Sequence, residues 1–184
     1  MKKIIALALC LMLALCAVSA VAEENTAEKT HLGTLEVGEA FRIQGKVPDN
    51  YTFNLITSNE LNLIGILAGG EGMPSVTVSI AYSEEYHGVE RFNDLDEADV
   101  QDIKDSFLAM DDVTFEDLET VYGTRLLKVT TNNKSFADIY TIYKGYEIEF
   151  IMTPNPEGAQ TTELTEDQIR MCVDFLTEMD FVEA

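Results

Sequence analysis

A chain of 184 residues with 12 basic and 33 acidic side chains has a formal charge of −21, and such a surface repels phosphate backbones and anionic lipid headgroups. Nucleic-acid and membrane-surface partners are therefore disfavoured, while cations, basic partners and plain solubility remain.

Residues 1–22 open with Lys2-Lys3, run through the apolar stretch Ile4–Val18 and close on Ala20-Val21-Ala22. This is the charge, core and small-residue exit of a secretory signal peptide, and cleavage is expected after Ala22. The apolar run is shorter than the roughly 18 residues a membrane span needs. Cys10 and Cys16 follow Leu9 and Leu15, whereas a lipoprotein signal would place a small residue before the cysteine. The predicted product is secreted or extracytoplasmic. It has ten basic and thirty-three acidic groups, a charge of −23, since Lys2 and Lys3 leave with the leader. Its length suits one domain, and Cys172, its single cysteine, can close no intramolecular bridge.

Residues 23–30 read as a flexible polar tail, and residues 31–184 as one domain. Val37–Ile43 alternates as a strand toward Pro48-Asp49-Asn50, a turn signature. Tyr51–Ile56, Leu61–Leu67 and Ser75–Tyr82 follow as strands, with Gly69-Gly70-Glu71-Gly72 as a loop. The period then changes. Asp94 with Glu97 reads as a capping box, and Val100, Ile103, Phe107 and Met110 form one stripe of a helix over about 95–110, with Asp102 and Asp105 on its solvated side. Thr114–Tyr122 and Thr124–Thr130 make a hairpin across Gly123, and Asn132-Asn133 turns the chain into Phe136–Thr153. That segment is two apolar runs joined by Lys144-Gly145, a second hairpin of open register. Ile139 and Tyr143 lie on one parity and Tyr140 and Ile142 on the other, so this hairpin should be central and covered on both faces. Pro154, Pro156 and Gly158 end the strands in a loop. Thr165 with Gln168 caps a final helix whose stripe is Ile169, Cys172, Val173, Leu176 and Met179. The expected fold class is α+β, an antiparallel sheet flanked by helices in a three-layer α/β/α sandwich.

The turn Pro48-Asp49-Asn50-Tyr51, the strand-to-helix step Ser75–Met110, the paired hairpins and the closing helix Thr165–Asp180 together resemble the PsbP-like fold. Extrinsic photosystem proteins, a Ran-binding nucleotide-release factor and many secreted bacterial proteins of unassigned role share it. The resemblance implies binding or assembly more often than catalysis, and it carries no site residue across.

Chemistry-bearing residues are few. His31 and His87 lie at no metal-ligand spacing to each other or to Cys172, and Cys172 sits in a helix stripe as a small apolar residue. No phosphate-binding glycine pattern appears, because the glycines at 69, 70 and 72 precede a strand. Glu147 and Glu149 point to one face of a strand, an arrangement open to a glycosidase, although so acidic a chain produces such pairs by chance. Asp94, Asp96 and Asp99 offer oxygens to calcium but fail the EF-hand spacing, and a helix dipole accounts for them. Tyr140, Tyr143 and Tyr146 cluster at the hairpin end as candidate ligand-binding residues, with core packing as the competing reading. The expectation is a monomeric, non-catalytic binding or assembly module without a cofactor, acting on a protein or small-molecule partner. A carboxylate-dependent glycan hydrolase and a low-affinity calcium-binding surface protein are the alternatives.

Overall fold

The computed structural model describes residues 34–37, 40–59, 61–109, 112–154 and 162–184. The segments expected as signal peptide and tail, with His31, Met110, Pro156 and Gly158, lie outside the described residues.

Two antiparallel meanders build the main sheet. The first is β3 (Tyr51–Ser58), β4 (Asn62–Gly69) and β5 (Ser75–Tyr82); the second is β6 (Val113–Glu119), β7 (Arg125–Thr131), β8 (Ala137–Tyr143) and β9 (Tyr146–Thr153). They join where β5 pairs antiparallel with β9, Ser75 opposite Thr153 through Tyr82 opposite Tyr146, giving the order β3-β4-β5-β9-β8-β7-β6. The β8–β9 turn takes the two-residue form left open by the sequence. Lys144 and Gly145 have φ of 51° and 78°, and Tyr143 pairs with Tyr146. Positive φ at both central residues matches the twist of the flanking strands.

Val76, Val78, Ile80, Ile148, Phe150 and Met152 alternate onto one face, here the first face. That face is covered by a small sheet and one helix. β1 (Thr34–Val37), β2 (Phe41–Gln44) and β10 (Asp180–Glu183) form the small sheet in the order β1-β2-β10. Phe41 meets Tyr143 and Tyr146 edge-on, at ring centroids 5.1 and 5.4 Å away. Beside it lies α2 (Glu166–Thr177), capped by Thr165 and Gln168 as the spacing predicts, with Ile169, Cys172, Phe175 and Leu176 inward.

The second face is covered differently. Leaving β5 in the middle of the sheet, the chain must reach the far edge before it can start β6. Among the described residues, its connection carries α1 (Glu97–Leu108) over that half, with Tyr86 at its margin. Val100, Ile103 and Phe107 of α1 pack with Phe92 on Val113, Leu127, Val129, Tyr140 and Ile142, all from β6, β7 and β8. No residue of β3, β4, β5 or β9 belongs to that core.

The three-layer α/β/α sandwich is therefore corrected. The described residues form ten strands in two sheets and only two twelve-residue helices. Two local patterns mislead. Val37–Ile43 reads as one alternating strand, yet the chain reverses on itself so that Val37 pairs with Phe41. The last helix stops at Thr177, and Asp180–Glu183 pairs with β2, setting Phe181 opposite Ile43. Met179 remains buried, but beyond the helix end. At α1 the cap also moves, to Asp96, whose Oδ1 accepts from the N–H groups of Ala98 and Asp99 at 2.8 and 3.0 Å. Asp94 instead accepts from the Arg91 N–H at 3.0 Å, closing the short 3-10 turn Phe92–Asp94.

Candidate functional site

Alternation places Glu147 and Glu149 of β9 on the second face, as their spacing predicts. Register adds their neighbours. Glu149 lies between Ser79 of β5 and Tyr140 of β8, Glu147 between Ala81 and Ile142, and Ile151 between Thr77 and Asp138. Asp138 and Glu149 are thus diagonal neighbours on adjacent strands, within reach of each other's charge. The cluster stands at the boundary of α1. The Tyr140 ring is clamped by Phe92 and Phe107, each at 5.9 Å, while its hydroxyl emerges to donate to Glu147 Oε2 at 2.9 Å.

The electrostatics are those of acids crowded away from water. Burial, then the Glu147 charge, pushes Glu149 from 4.5 up to about 7, against a lowering hydrogen bond from Ser79. Asp138 is 2% exposed, and burial and then Glu149 hold it well above the ordinary carboxylate range. The Phe150 and Ile139 N–H groups oppose this rise, but Oδ1 of Asp138 has no hydrogen-bond partner. Glu147 is raised chiefly by burial, and Tyr86, beside it, is pushed up to about 12 by burial and then by the Glu147 charge. Among the described residues no lysine or arginine forms an ion pair with these carboxylates. The basic side chains that pair do so elsewhere, as in Lys104 and Arg125 with Asp117 or Lys144 with Glu183. Such a group can hold a shared proton, or take up a cation that relieves the mutual repulsion.

Toward the β3 edge the same face becomes apolar. Ile64 and Ile66 of β4 and Ala81 of β5 are half-buried, yet they belong to neither core. At the β3–β4 end Leu55, which has the parity of the first face, Ile56 and Leu61 are 51–59% exposed, Ile56 being squeezed out at a bulge where Leu55 pairs with Gly65 and Thr57 with Ile64.

The tyrosine candidates do not assemble. Tyr143 and Tyr146 pack on the first face around Phe41, Tyr140 faces the other way, and all three are at most 8% exposed. Core packing is the role of Tyr143 and Tyr146, and only Tyr140 reaches the carboxylates. Cys172 is buried against Tyr51, with its sulfur 3.5 Å from the hydroxyl and its thiol pushed up to about 11 by burial, an environment that disfavours a thiolate. His87 is exposed on a loop, bonded through Nδ1 to the Tyr82 hydroxyl. The Asp96 carboxylate is committed to capping α1, and among the described residues no group of three His, Cys, Asp or Glu could hold a metal ion. A hollow of about 230 Å³ beside β6, β7 and α2 is lined by charges that already pair, Lys128 with Glu116 and Lys134 with Glu166.

Sequence reasoning missed Asp138. Its signal is the one acid within the otherwise apolar run of β8, a strand every residue of which is buried. No family model matches the sequence, and no curated protein or solved structure matches it.

Proposed function

We propose that the protein is a secreted, non-catalytic binding module and that its binding face is the half of the second sheet face beside α1. The observation that carries this reading is a surface of mixed character belonging to neither core. It runs from Ile64 and Ile66 to Glu147 and Glu149. Apolar area framed by polar groups is what a partner's surface buries. Secretion rests on the sequence of residues 1–22. A photo-crosslinking residue in place of Ile66, introduced in the native host, should yield a discrete adduct. The same group at exposed Val121, on the β6–β7 turn, should not. Equal labelling from both positions, or none from Ile66, removes the reading.

The hydrolase alternative has one specific observation in its favour. Glu147 and Glu149 project from one face of β9, the arrangement on which that alternative rests. Glu149, pushed up to about 7, has the protonation a general acid needs near neutrality. Release of reducing ends from a panel of polysaccharides, lost in Glu149→Gln, would establish it; activity retained in that variant would dismiss it.

A further inference from the structure

Resting on that reading, we infer that the occupant of this face is a basic amphipathic helix of a protein partner. Its apolar side chains lie on Ile64 and Ile66, and its Lys or Arg side chains reach Glu147 and Glu149 above Asp138.

Three observations converge on it. The first is room. α1 packs on β6–β8. Strands lie about 4.8 Å apart, so β9, β5 and β4 beside it offer roughly the 10 Å that a second helix, packed alongside the first, requires. The second is charge. Glu147 and Glu149 lie along the margin nearer α1 with no lysine or arginine of the described chain paired to them, and the apolar residues lie along the other margin. A helix with one apolar and one basic stripe matches that division. The third is Asp138, diagonal to Glu149 on the neighbouring strand, 2% exposed, its Oδ1 buried and unpartnered. A buried acceptor left without a donor is costly, and a cation drawn to Glu149 relieves the charge crowding that Asp138 shares with it. A metal ion would answer the charge equally, but these carboxylates are not grouped as ligands for one.

The probe is a designed Leu/Lys helix of five turns, about 18 residues. A Leu/Ser helix of the same length isolates the apolar contribution, and a Leu/Glu helix reverses the charge. Binding to the secreted protein is followed by titration calorimetry, and the contact is mapped by hydrogen exchange. The Leu/Lys helix should bind and protect β4, β5 and β9. Its affinity should fall at least about tenfold in Glu147→Gln/Glu149→Gln and in about 0.5 M salt, and the Leu/Glu helix should not bind. The double variant Glu163→Gln/Glu178→Gln removes the same charge from exposed sites elsewhere and should bind as the parent does. Equal loss in both double variants would mean that net charge alone attracts the peptide, which overturns the inference. Protection of β4, β5 and β9 by Leu/Ser as strongly as by Leu/Lys would keep the binding face and overturn its basic partner. Protection confined to other strands, or no binding by any helix, would overturn both.

Discussion

Glu149 shows how a side chain on this face contributes to the response to pH. In the unfolded chain it titrates at its ordinary value of 4.5, and in the folded protein at about 7, so between those limits the folded state holds the extra proton. Stability from this group is therefore greatest at the acid end and falls as pH rises through about 7. Asp138 and Glu147 face it with the same sign of shift, and Tyr140 and Tyr86 remain protonated throughout. Glu149→Gln removes the penalty. Its melting temperature relative to the parent should be close to zero or negative near pH 5 and positive at pH 8; a difference independent of pH would show that Glu149 is not desolvated. Asp96 supports a second prediction. Asp96→Ala removes the acceptor for two N–H groups and should cost about 0.5–2 kcal/mol in denaturant melts, more than Asp94→Ala, which loses one bond to Arg91. The reverse ranking would restore the cap that the sequence spacing favours. With Asp96 so committed, millimolar calcium and magnesium at equal ionic strength should shift the melting temperature alike and without saturation. A saturable calcium-selective shift would revive the metal reading.

Elements with a strong period were legible from the sequence; those defined by a long-range partner were not. Ser75–Tyr82 and the β8–β9 hairpin carry their alternation, their turn residues and their apolar runs in the local sequence. The stripes Val100, Ile103, Phe107 and Ile169, Cys172, Leu176 likewise identify both helices and their inward faces. β10 is four residues long and exists through Phe181 opposite Ile43, a contact across most of the chain that no local pattern announces. The carboxylate site divides the same way. Glu147 and Glu149 were legible as a pair, whereas Asp138 joins them only through the β8–β9 register. Phe107 and Leu176 test the two cores separately. Each is at most 7% exposed, and truncation to Ala should cost about 2–5 kcal/mol. Denaturant midpoints near the parental value would mean that α1 or α2 does not pack as described.

At the scale of the whole molecule, the route of the chain decides where a partner can sit. On the first face the small sheet and α2 share one core with strands from both meanders. Among the described residues, the single crossing from β5 to β6 leaves the other face half covered, with apolar β4 on one side of the gap and carboxylates on the other. Solvent accessibility of isoleucine methyl groups tests this asymmetry most directly. With a neutral soluble paramagnetic probe and methyl-labelled protein, relaxation enhancement should be largest at Ile56, intermediate at Ile64 and Ile66, and smallest at Ile139, Ile142 and Ile148. Ile64 and Ile66 as shielded as Ile142 would mean that the chain closes this face itself and leaves no partner a place on it.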